Sequence, residues 1–479
     1  MITFVTAPHQ RGLQRSWHTS MSSLLQAPRR GVPTLGWDLV YAVEISHLNA
    51  RIAAGQPAPR QFSSAYGEEI SVEGTLGAWQ IVPGGGADRI FLQIPILHAS
   101  MRHADRIQTF YGSVTVSVSL AYVAEAEGHT LRIRSDRDDD KAAFHIECTD
   151  LGALCGLMGR SMVESSLHDW IATHAGAFRH ALATIALDPP RTDAPHAWLK
   201  PTTISYAYAD RPARGDGVLA ILAMTNGRPG GHLKQQVMAS VIADKQPAAM
   251  LISPHLLLDR LILPALALAY PGTQREDFEF VGDFPMLQLK APRPLGVDQD
   301  DGLPAAPTLH SLTLSFTGNQ FVCESETSLS DGVVTEHRRV LSRQVLRMQT
   351  DAEGRRRIAF VQEGEAEVHP WSTMHADAPS RTSPPPAWQP AMAGVVSLLV
   401  NGPVMLGGLA LAALTGGLPP HADAEPADPS CGGPWGLPAE PLACDASRPF
   451  AWDGSASFAL KSVDLAESLR FSGTPWPQA

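Results

Sequence analysis

Cysteine is scarce: there are five in 479 residues. That is too few for a disulfide framework at this length, so an apolar core has to hold the chain together. Cys148 keeps parity with Phe144 and Ile146 in a period-2 run, which places it as a free thiol on an inward strand face. Cys431 and Cys444 lie in a Pro/Gly-rich stretch, where the sequence allows either a pair or two free thiols.

Positive charge is also short. Lys and Arg number 37 against 48 Asp and Glu, a net charge of −11. Sequence-independent nucleic-acid binding needs clustered cations that displace counterions, so no nucleic-acid partner is expected. The same deficit disfavours a purely electrostatic hold on an anionic membrane.

Catalytic signatures are missing too. There is no Gly-x-Ser-x-Gly, no His-Glu-x-x-His and no paired Cys-x-x-Cys. Ser457 and Lys461 are separated by three residues, not the two of Ser-x-x-Lys. His168, His174 and His180 step by six, about 240° per step on a helix, and so spread over different faces. His98 and His103 sit near a strand end as loop residues. Asp136, Asp138, Asp139 and Asp140 carry the charge of a calcium loop, but Lys141 stands where its glycine is required. Gly84-Gly85-Gly86 has no helix after it to aim amides at phosphate, so it reads as a turn. No catalytic residue, metal or cofactor is expected, and the protein reads as a non-enzyme.

An unbroken secretory core is absent from the N-terminus. Residues 1–30 contain Arg11, Arg15, Arg29 and Arg30 and no acid. This composition has a transit-peptide flavour, but it equally suits a disordered extension or a start codon placed ahead of Met21. Localisation stays open between cytoplasm and a route that needs no signal peptide. The apolar run 391–414 is long enough to span a bilayer, yet Asn401, Gly402, Pro403, Gly407 and Gly408 interrupt it. It reads first as a buried or broken helix, with a span or conditional insertion as alternatives. The Pro/Gly-rich 416–448 that follows reads as a linker.

What is present is a core-sized supply of apolar residues, 44% of the chain, in two periodicities. Gly36–Ile52 reads as a helix. Tyr41, Ile45, Leu48 and Ile52 recur at i, i+4, i+7 and i+11, with Asp38 as N-cap and Gly55 as C-cap. Period-2 runs follow. Ile70, Val72 and Leu76 share a face, with Gly74 marking a bulge. Val114, Val116, Val118, Leu120 and Tyr122 put five large side chains on one face, as in an antiparallel strand buried on one side. A helix is predicted over 157–187, ended by Pro189-Pro190. Strand-like runs fill 198–242. Ser253 and Pro254 then open a helix that Pro264 should kink. Further strands are predicted near 278–280, 286–289, 312–316, 321–323, 333–340, 358–361, 458–461 and 469–471. Helix, meander, helix thus occurs twice, which divides the chain into a leader (1–30), a first half (31–195) and a second half (196–479).

Several of these segments resemble a known family. Gly36-Trp37-Asp38-Leu39-Val40-Tyr41-Ala42 is similar to the opening of the clostridial OrfX-type proteins, companions encoded beside some botulinum neurotoxins. Gly74 to Gly85, Tyr206-Ala207-Tyr208, Gly217 to Thr225 and Ser253 to Leu258 agree in order, with a weaker echo near 460–473. The resemblance implies an α+β fold of the tubular lipid-binding (TULIP) kind. In that plan, long helices are wrapped by curved antiparallel sheets in two related halves. It also implies lipid or another apolar ligand, held by Tyr41, Ile45, Leu48, Ile52, Val114, Val116, Val118, Leu120 and Tyr122. A protein partner in a toxin complex, with a solid core and no ligand, is the alternative, and peripheral membrane contact fits either reading. The helix stripe is expected to lie on one interior surface with Val116 and Val118.

Overall fold

The computed structural model describes residues 31–55, 59–66, 70–126, 128–134, 144–152, 157–178, 180–187, 197–282, 284–296, 305–330, 332–350, 356–374, 437–452 and 458–475. The basic leader, Asp136–Asp140, Cys155, the 391–414 segment, Cys431 and most of 416–448 lie outside the described residues.

The first strands are β1 (Leu39–Glu44), β2 (Gln61–Tyr66), β3 (Ile70–Leu76), β4 (Gln80–Gly86), β5 (Arg89–His103) and β6 (Arg106–Glu125). Then come β7 (Gly128–Ile133), β8 (Phe144–Asp150), β9 (Ala183–Ile185), β10 (Pro201–Arg211), β11 (Asp216–Thr225) and β12 (Ala248–Ile252). After them run β13 (Phe278–Phe280), β14 (Met286–Leu289), β15 (Arg293–Pro294), β16 (Thr308–Thr317), β17 (Gln320–Ser330) and β18 (Val334–Thr350). The last are β19 (Arg356–Gln362), β20 (Glu367–Met374), β21 (Leu437–Pro438), β22 (Phe450–Trp452), β23 (Ala459–Ala466) and β24 (Ser468–Thr474). Among the described residues the α-helices are α1 (Ile45–Gly55), α2 (Leu157–His174), α3 (Pro254–Leu257), α4 (Leu263–Ala269) and α5 (Ala439–Ser447).

Among the described residues the strands form three antiparallel sheets. A six-stranded sheet runs β10-β11-β1-β12-β24-β23. One nine-stranded sheet runs β2-β3-β5-β6-β7-β9-β22, with β4 on β5 and β8 on β6. The other runs β13-β14-β16-β17-β18-β19-β21, with β15 on β16 and β20 on β18. The expected long helices wrapped by sheets are not what the described residues hold: strands dominate, and four of the five α-helices span 11 residues or fewer.

The helix expected over Gly36–Ile52 begins only at Ile45. Leu39–Glu44 is instead a strand in the middle of the six-stranded sheet, with Tyr41 opposite Ile221 on one side and Met250 on the other. The physical reason lies in the spacing. Four residues is close to one helical turn, but it is also two strand periods, so Tyr41 and Ile45 fit either element. Leu39-Val40-Tyr41-Ala42-Val43 is apolar on both faces, and all of it is buried. A surface helix needs one wet face, whereas a central strand needs none. From Ile45 the helical reading holds, with Ile45, Leu48 and Ile52 buried.

Other differences have equally local causes. The expected 157–187 helix ends at His174, and Ala183–Ile185 pairs with β7 and β22 as a strand. Cys148 is exposed rather than inward. Thr115 pairs with Cys148 but Val116 pairs with Ile146, so a bulge at Glu147 flips the parity of everything beyond it. The bulge expected at Gly74 falls at the next step, between Thr75 and Leu76. Gly74 answers a different need, since a Cβ there would stand 2.6 Å from the Ala99 methyl and 2.7 Å from the Phe62 ring.

Strong local signals survive intact. The Ser253 hydroxyl accepts from the Leu256 amide, and Pro254 follows at the first helical position. The disturbance expected from Pro264 takes the form of a wide π turn, Leu258–Ile262, between α3 and α4. Proline brings no N–H for the i−4 carbonyl and crowds it, which a wider turn accommodates.

Candidate functional site

The interior is built outward from β1, whose side chains alternate. Leu39, Tyr41 and Val43 enter the large core, whereas Val40 and Ala42 enter a second core with Trp37, Leu222 and Leu251. Period-2 geometry on a doubly buried strand requires this division. The second core is covered by the irregular segment 226–247, tied down where the Trp37 indole donates to the Lys234 carbonyl and Arg470 to the Ser240 carbonyl.

Both ends of β1 carry buried acids. Asp38 is fully buried; one carboxylate oxygen accepts from the Thr225 amide and hydroxyl, and the other pairs with Arg228. The residue expected to cap a helix therefore locks β1 to the end of β11 instead. At the other end, Glu44 accepts from Arg211 at 2.5 Å and Arg214 at 2.9 Å. Burial, then the nearby Arg228 cation, lowers the pKa of His255, against the opposing pull of Asp38 and Asp259. Its ring stands edge-on to Phe280 at 4.2 Å. Sequence reasoning missed these arginine locks, because their partners lie up to 190 residues apart.

The nine residues singled out as apolar candidates all reach one interior. Tyr41, Ile45, Leu48, Ile52, Val114, Val116, Val118 and Leu120 are buried in the large core, and Tyr122 packs against it half-buried. Tyr41 stands edge-on to Phe450, Trp452 and Phe458 at ring distances of 5.8–6.1 Å. Burial raises its pKa. Helix α1, however, packs against β4 and β11 rather than against the Val114–Tyr122 strand. Asn49 fixes it there, donating to the Ile81 carbonyl at 2.8 Å and accepting from the Ile81 amide at 2.7 Å. The apolar face of β6 is met instead by strands of its own sheet: Ile94, Leu92 and Ile90 lie opposite Val114, Val116 and Val118.

Tyrosines clamp this sheet to the six-stranded one. The Tyr206 hydroxyl accepts from the Leu120 amide and donates to the Asp88 carbonyl, and Tyr122 donates to the Ser205 carbonyl. Tyr208 donates to Asp210, whose carboxylate accepts from the Gly84 amide. A Cβ on Gly85 would stand 2.9 Å from the Tyr208 ring, so the expected glycine turn is a docking point for an edge strand.

Buried Cys323 faces the Tyr270 hydroxyl at 3.6 Å, and burial pushes its thiol up to about 12, far from a reactive thiolate. Among the described residues no three His, Cys, Asp or Glu side chains converge as metal ligands, and no helix is long and apolar enough to cross a membrane. His168 meets Asp169, whereas His174 meets the Trp170 carbonyl, so the two histidines do not converge.

Residues 34–384 match the family model described as OrfX-like: Protein OrfX2/OrfX3/P47. The chain is similar to Protein OrfX3 of Clostridium botulinum (strain Kyoto / Type A2), 25% identical over 335 residues, covering 61% of this chain and 68% of the relative. It is also similar to Protein OrfX3 of Paraclostridium bifermentans, 24% identical over 346 residues, covering 64% of this chain and 70% of the relative. Its fold is similar to P47 of Clostridium botulinum A2, with a TM-score of 0.61 at 14% identity, covering 93% of this chain and 98% of that one. P47 of Clostridium botulinum E1 gives a TM-score of 0.58 at 13% identity, covering 92% and 99%.

Proposed function

The chain belongs to the OrfX-like family, and from that premise we propose that it is a non-enzymatic companion protein of a toxin or toxin-like gene cluster that binds lipid. One observation carries the reading. A single continuous apolar core runs from α1 through the six-stranded sheet and into both nine-stranded sheets. In this reading an acyl chain lies along that core, among side chains apolar throughout. Tyr41, Ile45, Leu48, Ile52, Val114, Val116, Val118, Leu120 and Tyr122 are the proposed apolar lining. The tubular lipid-binding plan, with 31–195 and 196–479 as related halves, belongs to the same proposal. In support, one nine-stranded sheet draws all but β22 from the first half, and the other lies wholly in the second. The non-enzymatic part rests on the missing motifs.

A second reading, a protein-binding companion with a solid core, is favoured by the outward face of β5 and β6. Leu97, Ile107 and Tyr111 are each about 60% exposed there. Exposed large apolar side chains gathered on one sheet face mark interaction surfaces.

Native mass spectrometry and organic extraction of the purified protein test the first reading. Lipid retained in stoichiometric amount is the expected result. Its absence from every preparation, after incubation with mixed lipid vesicles as well, overturns the lipid reading and leaves the protein-binding one.

A further inference from the structure

The two nine-stranded sheets differ on their inward faces. On β6 that face is Val114, Val116, Val118 and Leu120, met by Ile94, Leu92 and Ile90 of β5. On β17 and β18 a polar stripe interrupts the apolar surface. Ser325 shares its face with buried Leu312 and Val340, Thr327 with buried Leu309, and Gln344 with buried Phe321. Ser342 lies opposite Cys323 on this face, and Gln344 lies opposite Gln362 of β19.

Ser325, Thr327, Ser342 and Gln344 are all at most 1% exposed. Ser342 donates to the Gln362 side-chain oxygen at 2.8 Å. Among the described residues, the Ser325 and Thr327 hydroxyls, both amide atoms of Gln344 and the Gln362 side-chain nitrogen have no hydrogen-bond partner. A buried, unpaired amide or hydroxyl costs free energy, and an apolar residue of similar shape would avoid that cost. The β6 positions show that this interior accepts valine and leucine.

We propose that this stripe binds the uncharged, hydroxyl- or amide-bearing neck of an amphipathic lipid. Hydroxyls and carboxamides both donate and accept, so they suit a ligand group that does both. Among the described residues the one cation on the stripe, Arg338 at its far end, is paired with Glu336 at 3.0 Å. Among the described residues a phosphate therefore finds no free buried cation on the stripe, whereas a glycerol hydroxyl or a secondary amide finds matched partners. The inference rests on the lipid reading and places the polar recognition in the second nine-stranded sheet, away from the nine apolar candidates.

The test compares monoolein with methyl oleate, which has the same acyl chain without the glycerol hydroxyls. The full chain is incubated with each, and binding is measured by titration and by ligand retained after gel filtration. The parent should prefer monoolein by about tenfold or more, the equivalent of one net hydrogen bond. Gln344→Met and Thr327→Val, which keep shape and remove polarity, should melt no lower than the parent. They should lose about tenfold in monoolein affinity with methyl oleate unchanged. If either variant unfolds, Ser325→Ala carries the same comparison. Unchanged monoolein affinity in the folded variants, or equal binding of both probes by the parent, overturns this inference and leaves the lipid reading standing. Failure of the parent to bind either probe overturns both.

Discussion

The Tyr206 hydroxyl accepts from the Leu120 amide at 2.9 Å, taking over a ladder position that β5 leaves when its pairing with β6 stops at Ser119. A side chain of one sheet thus finishes the backbone hydrogen bonding of another. The same hydroxyl donates to the Asp88 carbonyl at 2.6 Å, so it is held at both ends. Tyr206→Phe should leave a buried amide unpaired and destabilise the protein by about 1–3 kcal/mol. Denaturant midpoints at constant m-value measure this, and an unchanged midpoint would show that the clamp is dispensable.

Asp38→Asn tests the lock at the start of β1. Asparagine keeps one acceptor for the Thr225 amide but loses the charge that holds Arg228. Arg228 can turn to water, so the cost should lie below the roughly 3–5 kcal/mol seen when a fully buried pair is broken. A loss of about 1–3 kcal/mol is expected. Arg228→Ala should cost at least as much as Asp38→Ala, because it leaves the fully buried Asp38 carboxylate without its cation, whereas Asp38→Ala strands the Thr225 amide and lets half-exposed Arg228 turn to water. A clearly smaller loss for Arg228→Ala would contradict this order.

Leu48→Ala probes the packing of α1 on β4 and β11. In a solid core it should cost about 2–5 kcal/mol. A smaller loss, accompanied by more extractable lipid than the parent carries, is expected if an acyl chain fills the space. Val118→Trp is the companion change. It should cost about 1–3 kcal/mol by overpacking a solid core, but fold nearly normally and lose lipid if that face lines a groove. Thermal melts and extracted lipid are read on the same samples. Destabilisation by both changes with no lipid in any sample would favour the protein-binding reading.

Stability should fall in mild acid. Burial lowers the pKa of His255, with Arg228 adding to the effect, and burial also lowers that of His337, beside His310. A histidine with a depressed folded pKa stays neutral in the folded protein while the unfolded chain takes up a proton. The unfolded state then binds more protons below the unperturbed value of about 6.5, and stability drops as pH falls through that window. The melting temperature should therefore decline from pH 7 toward pH 5, and less steeply in His255→Gln. An identical slope in that variant would remove His255 from the account.

Much of the fold was legible where a signal is local. The Ser253-Pro254 helix start needs only a hydroxyl acceptor and a proline at adjacent positions, and β6 needs only alternation. Local pattern and structure part where one spacing serves two elements, as with Tyr41 and Ile45, and where one inserted residue reverses parity, as at Glu147. The candidate residues were legible as buried because their apolarity is local; their neighbours were not. Leu48 reaches the same core as Val118 but packs on different strands.

The sequence by itself determined the family, the strand-rich composition and which positions are apolar, because identity, propensity and alternation are carried by neighbouring residues. Only the tertiary structure decided that Asp38 meets Arg228 and Tyr206 meets Leu120. It also decided that the inward stripe from Ser325 to Gln344 is polar. The physical reason is range: strand register and side-chain pairing join residues far apart in the chain, and one residue's shift in register turns a side chain from core to solvent.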